Sequence, residues 1–404
     1  MARRALERLA LHDSLRAWAL SRILCWVAGV AAVLVFGADA GRHDPFGLTS
    51  PFGSFGDTLV APAARWDAFW YVLIADHGYV TPRATQFYPL YPLVSRAVGA
   101  PFASSLIGGI LVSLAALLGA LYLLQRISTI ELREEIGRRT MLLLAFFPTA
   151  VFFSAVYTEA LFLFLSIGSV YAARQGRWAL AGIAAGLATL TRPTGILLAV
   201  PLALLYLYGP RADRGEPDPR PDLRGRARLR PRYRPALDAL WLLWIPAGFA
   251  VYSAYVWAKF DDPFVVLEQG EAWNLHFTLP FVTVWNAAGT ALSGFADVFE
   301  GKPPNDVYEF GFMVLAVVAT IGALRRLPLA YGAYAAVGVV FLLCFPVEHE
   351  RLSSFSRYMT PLFPVLMWLA AWSTERRVFR WVLIVFAVGM VVQSARFATW
   401  HFVA

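Results

Sequence analysis

The residues best suited to chemistry gather in one stretch. It runs Arg65-Trp66-Asp67-Ala68-Phe69-Trp70-Tyr71 through Ile74-Ala75-Asp76-His77-Gly78-Tyr79 to Gln86-Phe87-Tyr88-Pro89-Leu90-Tyr91-Pro92. The helical core from Trp66 to Ala75 would be about 15 Å long, too short to cross a bilayer. Asp67 falls in its first turn, where the positive end of the helix dipole favours a carboxylate and the aromatic neighbours limit water. A carboxylate so placed stands where a lipid-borne substrate and a polar acceptor can meet. The same pattern is met by a helix cap, or by a simple partner for Arg65.

A second cluster is Phe146-Phe147-Pro148-Thr149-Ala150, continuing to Tyr157-Thr158-Glu159, with Thr191-Arg192-Pro193-Thr194-Gly195 at the end of a later helix. A lone Glu and a lone Arg at one depth invite an ion pair. Alternatively, the planar donor fork of Arg192 suits a phosphate. A third cluster, Glu348-His349-Glu350-Arg351 to Ser356-Arg357-Tyr358, places Arg357 where it can face a lipid phosphate or snorkel to head groups. Adjacent residues in Glu348-His349-Glu350 point in different directions on regular backbone, so no metal site is expected. No glycine-rich loop follows a strand, which disfavours a soluble nucleotide-sugar donor.

The elements that must hold these groups are membrane helices. Of 404 residues 58% are apolar and 15% charged, with a mean hydropathy of +0.57, far below the roughly 25% charge of soluble domains. A soluble globular protein is excluded. Apolar runs near 17–37, 102–124, 140–155, 157–173, 178–191, 194–208, 237–258, 309–324, 328–346, 358–373 and 379–395 predict about eleven transmembrane helices in one domain, 1–404. Those near Pro148 and Pro193 are expected to be broken or tilted.

Basic residues comprise 33 Arg and two Lys, for a formal charge of +8. With the N-terminus cytoplasmic, 25 of the 35 basic residues fall inside, while 16 of the 27 acidic residues fall outside, as the positive-inside rule requires. The first run, followed by Ala38-Asp39-Ala40, is read as an uncleaved helix, because its charged region reaches Arg22. Cys25 and Cys344 lie near opposite faces, so no disulfide is expected between them. Two long exterior loops, 38–101 and 259–308, are aromatic and predict interfacial helices. The cytoplasmic loop 209–236 reads as a flexible Arg-rich linker against anionic lipid, with no nucleic-acid partner. Internal repeats are lacking, and Glu159 and Arg192 sit near the outer helix ends rather than at mid-depth. Both features weigh against the alternative of a lipid-linked-sugar flippase or transporter.

Arg65-Trp66-Asp67, Ile74 to Tyr79 and Phe87 to Pro92 together resemble the first-loop signature of the PIG-V family, the glycosylphosphatidylinositol mannosyltransferase II group and its bacterial relatives. Phe146 to Ala150, Tyr157 to Phe162, Thr191 to Gly195 and Arg357-Tyr358 with Pro361 are similar to further family segments in the same order. The resemblance implies an all-α polytopic protein of the GT-C membrane glycosyltransferase fold. It also implies transfer of a hexose, mannose in the family, from a polyprenyl-phosphate donor to an acceptor hydroxyl on the exterior face, with inversion. A GT-C enzyme using another sugar is the neighbouring alternative.

On that reading Asp67 is the base, Arg192 and Arg357 are candidates for the donor phosphate, and Glu159 orients Arg192 or binds sugar. Asp76 and His77 are second choices for acid/base work or sugar contact. Arg65 and Tyr358 belong to the binding set through their motifs, and Trp66, Trp70, Tyr88 and Tyr91 can stack on sugar or prenyl chain. No cofactor is needed beyond the lipid-linked sugar phosphate; the partners are that donor, a glycolipid or glycan acceptor and membrane lipid. The family's eukaryotic members tend to carry an acid shortly after the Gly-Tyr step, where this chain has none between Val80 and Gln86, so the acceptor is expected to differ. Arginine-rich, lysine-poor usage and three Asn without a sequon fit a bacterial cytoplasmic membrane protein.

Overall fold

The computed structural model describes residues 2–38, 44, 46–214, 231–272, 276–299, 305–346 and 352–403; among these there is no strand. In chain order the helices are α1 (Ala2–Phe36), α2 (Gly53–Val60), α3 (Ala68–His77), α4 (Leu90–Gly99), α5 (Ser105–Glu131), α6 (Glu134–Ala145), α7 (Glu159–Arg174), α8 (Trp178–Thr189) and α9 (Ala199–Tyr208). They continue with α10 (Trp244–Phe260), α11 (Val265–Ala272), α12 (Pro280–Phe299), α13 (Asn305–Arg326), α14 (Leu329–Cys344), α15 (Phe355–Tyr358), α16 (Phe363–Glu375) and α17 (Phe379–Ala398).

Each of the eleven apolar runs is mainly helical. Among the described residues five stretches are long and apolar enough to cross a membrane unaided: 7–36, 105–131, 237–260, 305–326 and 379–398. Others are composite, as the prolines require. The 194–208 run is a 3₁₀ segment, Pro193–Leu198, leading into α9, and the 358–373 run is α15 followed by α16. Both cysteines are free. The segments 39–43, 215–230 and 347–351 lie outside the described residues, and with them Asp39-Ala40, most of the Arg-rich linker and Glu348-His349-Glu350.

Helix α1 contributes Arg22 to the break at Pro148. Helix α6 stops at Ala145, and the chain passes Pro148 into a 3₁₀ turn, Ala150–Phe153, before α7 begins at Glu159. Buried carbonyls released by such a break must find donors. Arg22, assigned above to the cytoplasmic charge set, instead lies buried inside the bundle. It donates to the carbonyls of Ala145 (3.0 Å) and Ala150 (2.7 Å) and to Ser154 Oγ (2.6 Å).

The buried side chains fall into two clusters. The larger is built on α5–α9, α13, α14 and α16; the smaller brings Tyr71, Tyr79, Phe87, Tyr88 and Tyr91 of the first long loop against Phe152, Tyr157, Tyr252 and Phe397. That loop is therefore packed, carrying α2, α3 and α4. Helix α4 lies directly on α5: a Cβ on Gly108 would meet the Ser95 carbonyl at 2.0 Å, so only glycine permits the crossing. Replacing Arg22 by Leu orphans the three acceptors at the break, and we expect a loss of about 2–4 kcal/mol. The check is the melting midpoint in detergent, which falls for Arg22→Leu and does not for the exposed Arg177→Leu.

Candidate active site

Three backbone turns aim the functional groups. The first precedes α3. Trp66 adopts a left-handed conformation (φ 54°), uncommon for a bulky residue and strained, and it throws Asp67 to the helix start. Tyr157 Oη fixes this turn by donating to the Arg65 carbonyl (3.1 Å) and accepting from the Asp67 N–H (3.0 Å). Helix α3 ends at Gly78 (φ 75°), whose N–H reaches the Ile74 carbonyl at 2.9 Å.

In the second turn Pro193 holds Arg192 in extended backbone (φ −157°, ψ 145°), as a following proline does. This stops α8 and projects the guanidinium. Gly195 closes the turn so tightly that a Cβ would lie 2.5 Å from backbone atoms of Thr189. The third turn is entered through left-handed Ser354 (φ 61°) and presents Arg357 from α15.

At the centre is Glu159, fully buried at the first residue of α7. Its Oε1 takes a charge-assisted bond from Arg357 Nε and lies 3.3 Å from Arg192 Nη2. Arg357 Nη1 in turn donates to Asp67 Oδ2 at 3.1 Å. The guanidinium of Arg357 stands 4.6 Å from the Phe152 ring and 4.7 Å from that of Tyr157, and Arg192 lies 4.8 Å from the Tyr358 ring. The order Asp67, Arg357, Glu159, Arg192 alternates in sign and sums to zero formal charge. It grades outward to solvent: the side chain of Glu159 is 0% exposed, Arg357 7%, Arg192 13% and Asp67 28%.

Two alternatives for Asp67 are thereby removed. It occupies the N-cap position of α3 without a side-chain capping bond, and its cation is Arg357 rather than Arg65. Arg65 is committed elsewhere: buried, it donates from Nε to the Ala398 carbonyl (2.9 Å) and from Nη1 to that of Ala64 (2.9 Å), and it lies 4.9 Å from the Trp400 ring. Burial pulls its guanidinium down to about 10, which still leaves it a cation at neutral pH. A substrate-binding role for Arg65 is corrected to a packing one.

The same correction holds for Tyr88 and Tyr91. Tyr88 packs on Tyr252 with centroids 4.5 Å apart, and Tyr91 Oη donates to the Gly109 carbonyl at 2.9 Å; both are buried too deeply to face a sugar or prenyl chain. Trp70 stacks on Phe87 (5.5 Å, 14°) and Trp66 edges onto Trp400 (5.7 Å), each half-buried. Asp76 and His77 are exposed at the far end of α3, and Asp76 bonds Ser105 there. Nine residues of helix separate Asp76 from Asp67, about 13 Å, so the two acids do not share a site.

Sequence reasoning assigned no role to Tyr157 Oη or to Glu309. Glu309, buried on α13, receives the Ser356 backbone N–H (2.6 Å) and hydroxyl (2.8 Å). The available signal was its position at the head of an apolar run, which left it looking like the end of a loop.

The alternating order makes the four groups unequal in cost. Glu159→Gln leaves the buried Arg357 and the half-buried Arg192 without their shared anion, a loss of about 3–5 kcal/mol, whereas Asp67→Asn acts at the rim and costs under about 1 kcal/mol. Melting of the two variants in detergent separates them: a clear fall for Glu159→Gln, little change for Asp67→Asn.

Residues 53–203 match the family model described as Mannosyltransferase (PIG-V). Among curated proteins, GPI mannosyltransferase 2 of Yarrowia lipolytica is 27% identical over 34% of this chain and 38% of that protein. GPI alpha-1,6-mannosyltransferase 2 of Rattus norvegicus is 28% identical over 35% of this chain and 31% of that protein. The matched stretch thus spans about a third of the length of these relatives. A crystal structure of ArnT from Cupriavidus metallidurans bound to undecaprenyl phosphate superposes on 93% of this chain and 62% of its own, with a TM-score of 0.51 at 14% identity. The matched region contains the first loop from residue 53 onward, the Pro148 break and the Arg192 turn, and Arg357 lies beyond it. The chain is therefore a polytopic membrane protein that shares the GT-C fold of ArnT and is similar, over residues 53–203, to the family described as Mannosyltransferase (PIG-V).

Proposed function

We propose that the protein transfers a hexose, mannose by the likeness to PIG-V, from a polyprenyl-phosphate carrier to an acceptor hydroxyl, with inversion at the anomeric carbon and Asp67 as base. The observation that carries this reading is the neutral four-residue set itself, in which the one part-exposed carboxylate is bonded to a buried cation and a second cation, Arg192, is the more exposed of the two. A phosphate leaving group needs no general acid when cations receive its charge, so a single carboxylate suffices. Paired acids of the glycosidase kind are not required.

Charge conservation supports the assignment. The acceptor oxygen bonds to the anomeric carbon, the bond from that carbon to the phosphate oxygen breaks, and the electron pair leaves with the polyprenyl phosphate. The acceptor proton goes to Asp67. A phosphodiester of charge −1 becomes a monoester approaching −2, while protonation of Asp67 changes the four-residue set from 0 to +1. Arg357, whose guanidinium is enclosed by Glu159, Asp67, Phe152 and Tyr157, acts as the holder of the base. Arg192, with Tyr358 beside it, is the phosphate contact.

The orientation is part of the proposal. Glu159, Arg192 and Arg357 stand at the ends of α7, α8 and α16 opposite to Arg174, Arg177 and Arg376. By the positive-inside rule that is the exterior side of a bacterial cytoplasmic membrane, with the N-terminus inside. ArnT, which shares this fold, was crystallised bound to undecaprenyl phosphate, and that likeness supports a polyprenyl donor for the present chain.

The test is purified protein in detergent with a panel of polyprenyl-phosphate sugars and a membrane lipid extract, followed by mass spectrometry of the acceptor. One added hexose is expected, and since transport cannot register in detergent, a flippase yields none. Asp67→Asn lowers kcat by about 10³-fold with an unchanged melting midpoint; turnover within about threefold of wild type overturns the assignment of the base. Arg192→Met weakens the donor step by about 10- to 100-fold in kcat/KM.

A further inference from the structure

The Arg357 turn is short. It is a four-residue helix entered through a left-handed serine, yet it must hold a guanidinium against Asp67. On one side Thr360 Oγ1 donates to the Arg357 carbonyl at 2.6 Å. On the other stands Glu309. Both of its oxygens are spent on one neighbour: Oε2 on the Ser356 N–H at 2.6 Å and Oε1 on the Ser356 hydroxyl at 2.8 Å. Among the described residues no cation forms an ion pair with it. A buried carboxyl without a cation is costly, and an apolar residue would fill the same space more favourably; two hydrogen bonds to Ser356, one of them from its backbone N–H, are what it supplies.

We infer that Glu309 is a positioning residue for the transfer reaction, acting through Ser356 to hold Arg357 in register with Asp67. This rests on the assignment of Asp67 as base. Glu309 touches neither Asp67 nor Arg357 itself. It fixes the backbone one residue before Arg357, so its loss lets the guanidinium drift by a fraction of a helical step. Misplacement of about 1 Å at a reacting group is worth on the order of 10²-fold in rate.

The experiment compares Glu309→Ala, Glu309→Gln and Ser356→Ala in the full-length protein, reading kcat, donor KM and melting midpoint. Glu309→Ala is expected to lower kcat by about 30- to 100-fold with donor KM within about threefold. Glu309→Gln keeps the shape and an acceptor for the backbone N–H, and so recovers most of the rate. Ser356→Ala, which removes one bond of the two, falls between them and carries the test if Glu309→Ala does not fold. Combining Glu309→Ala or Ser356→Ala with Arg357→Lys adds little to Arg357→Lys alone, since both act through one group.

A merely structural glutamate would lower the melting midpoint while leaving kcat of the folded protein and the additivity of the double variants intact; that result overturns the inference. If Asp67→Asn turns over like wild type, the base assignment has failed instead. If Asp67→Asn is inactive while Glu309→Ala and Ser356→Ala keep wild-type kcat, only the role of Glu309 is lost.

Discussion

The structure depends on one electrostatic constraint: Glu159 is buried completely and cannot stand uncompensated. A carboxylate removed from water costs several kcal/mol unless cations and hydrogen bonds surround it. Meeting that demand draws Arg192 from the end of α8 and Arg357 from α15 to one point, and Arg357 then has a face left over for Asp67. Four segments distant in sequence are located relative to one another by this requirement. The rings of Phe152, Tyr157 and Tyr358 close the cluster, enclosing the cations with partners that do not compete for their protons.

A second demand is imposed by the breaks in the helices. Such breaks allow side chains to leave the bundle at angles a continuous helix forbids, and each freed carbonyl must be answered by a donor. Arg22 does so at the Pro148 break. The Pro148 break is in this way firmly held.

The apolar runs forecast the helices because burial in a bilayer demands length and hydrophobicity, and both are local properties. The proline breaks were legible for the same reason. Asp67, Glu159, Arg192 and Arg357 stood out as ionisable residues at run ends, though their pairing did not: nothing local ties Asp67 to Arg357 across 290 positions. Arg22 was misplaced because a charge in the first run is as consistent with a cytoplasmic flank as with a buried bond to another helix. Aromatic residues misled in the opposite direction. Tyr88 and Tyr91 sit in the signature with Trp66 and Trp70, and composition cannot distinguish a ring that faces a ligand from one that fills a core.

The turn that presents Asp67 is held by parts of the chain that follow it at long range. Tyr157 fixes its backbone, Ala398 at the end of α17 accepts from Arg65, and Arg357 binds the carboxylate. During synthesis the first loop emerges long before these partners exist, and its geometry has to await insertion of the last helix. A chain halted before α15 therefore carries the motifs of the first loop without the long-range bonds to Arg357 and Ala398 that hold them in place.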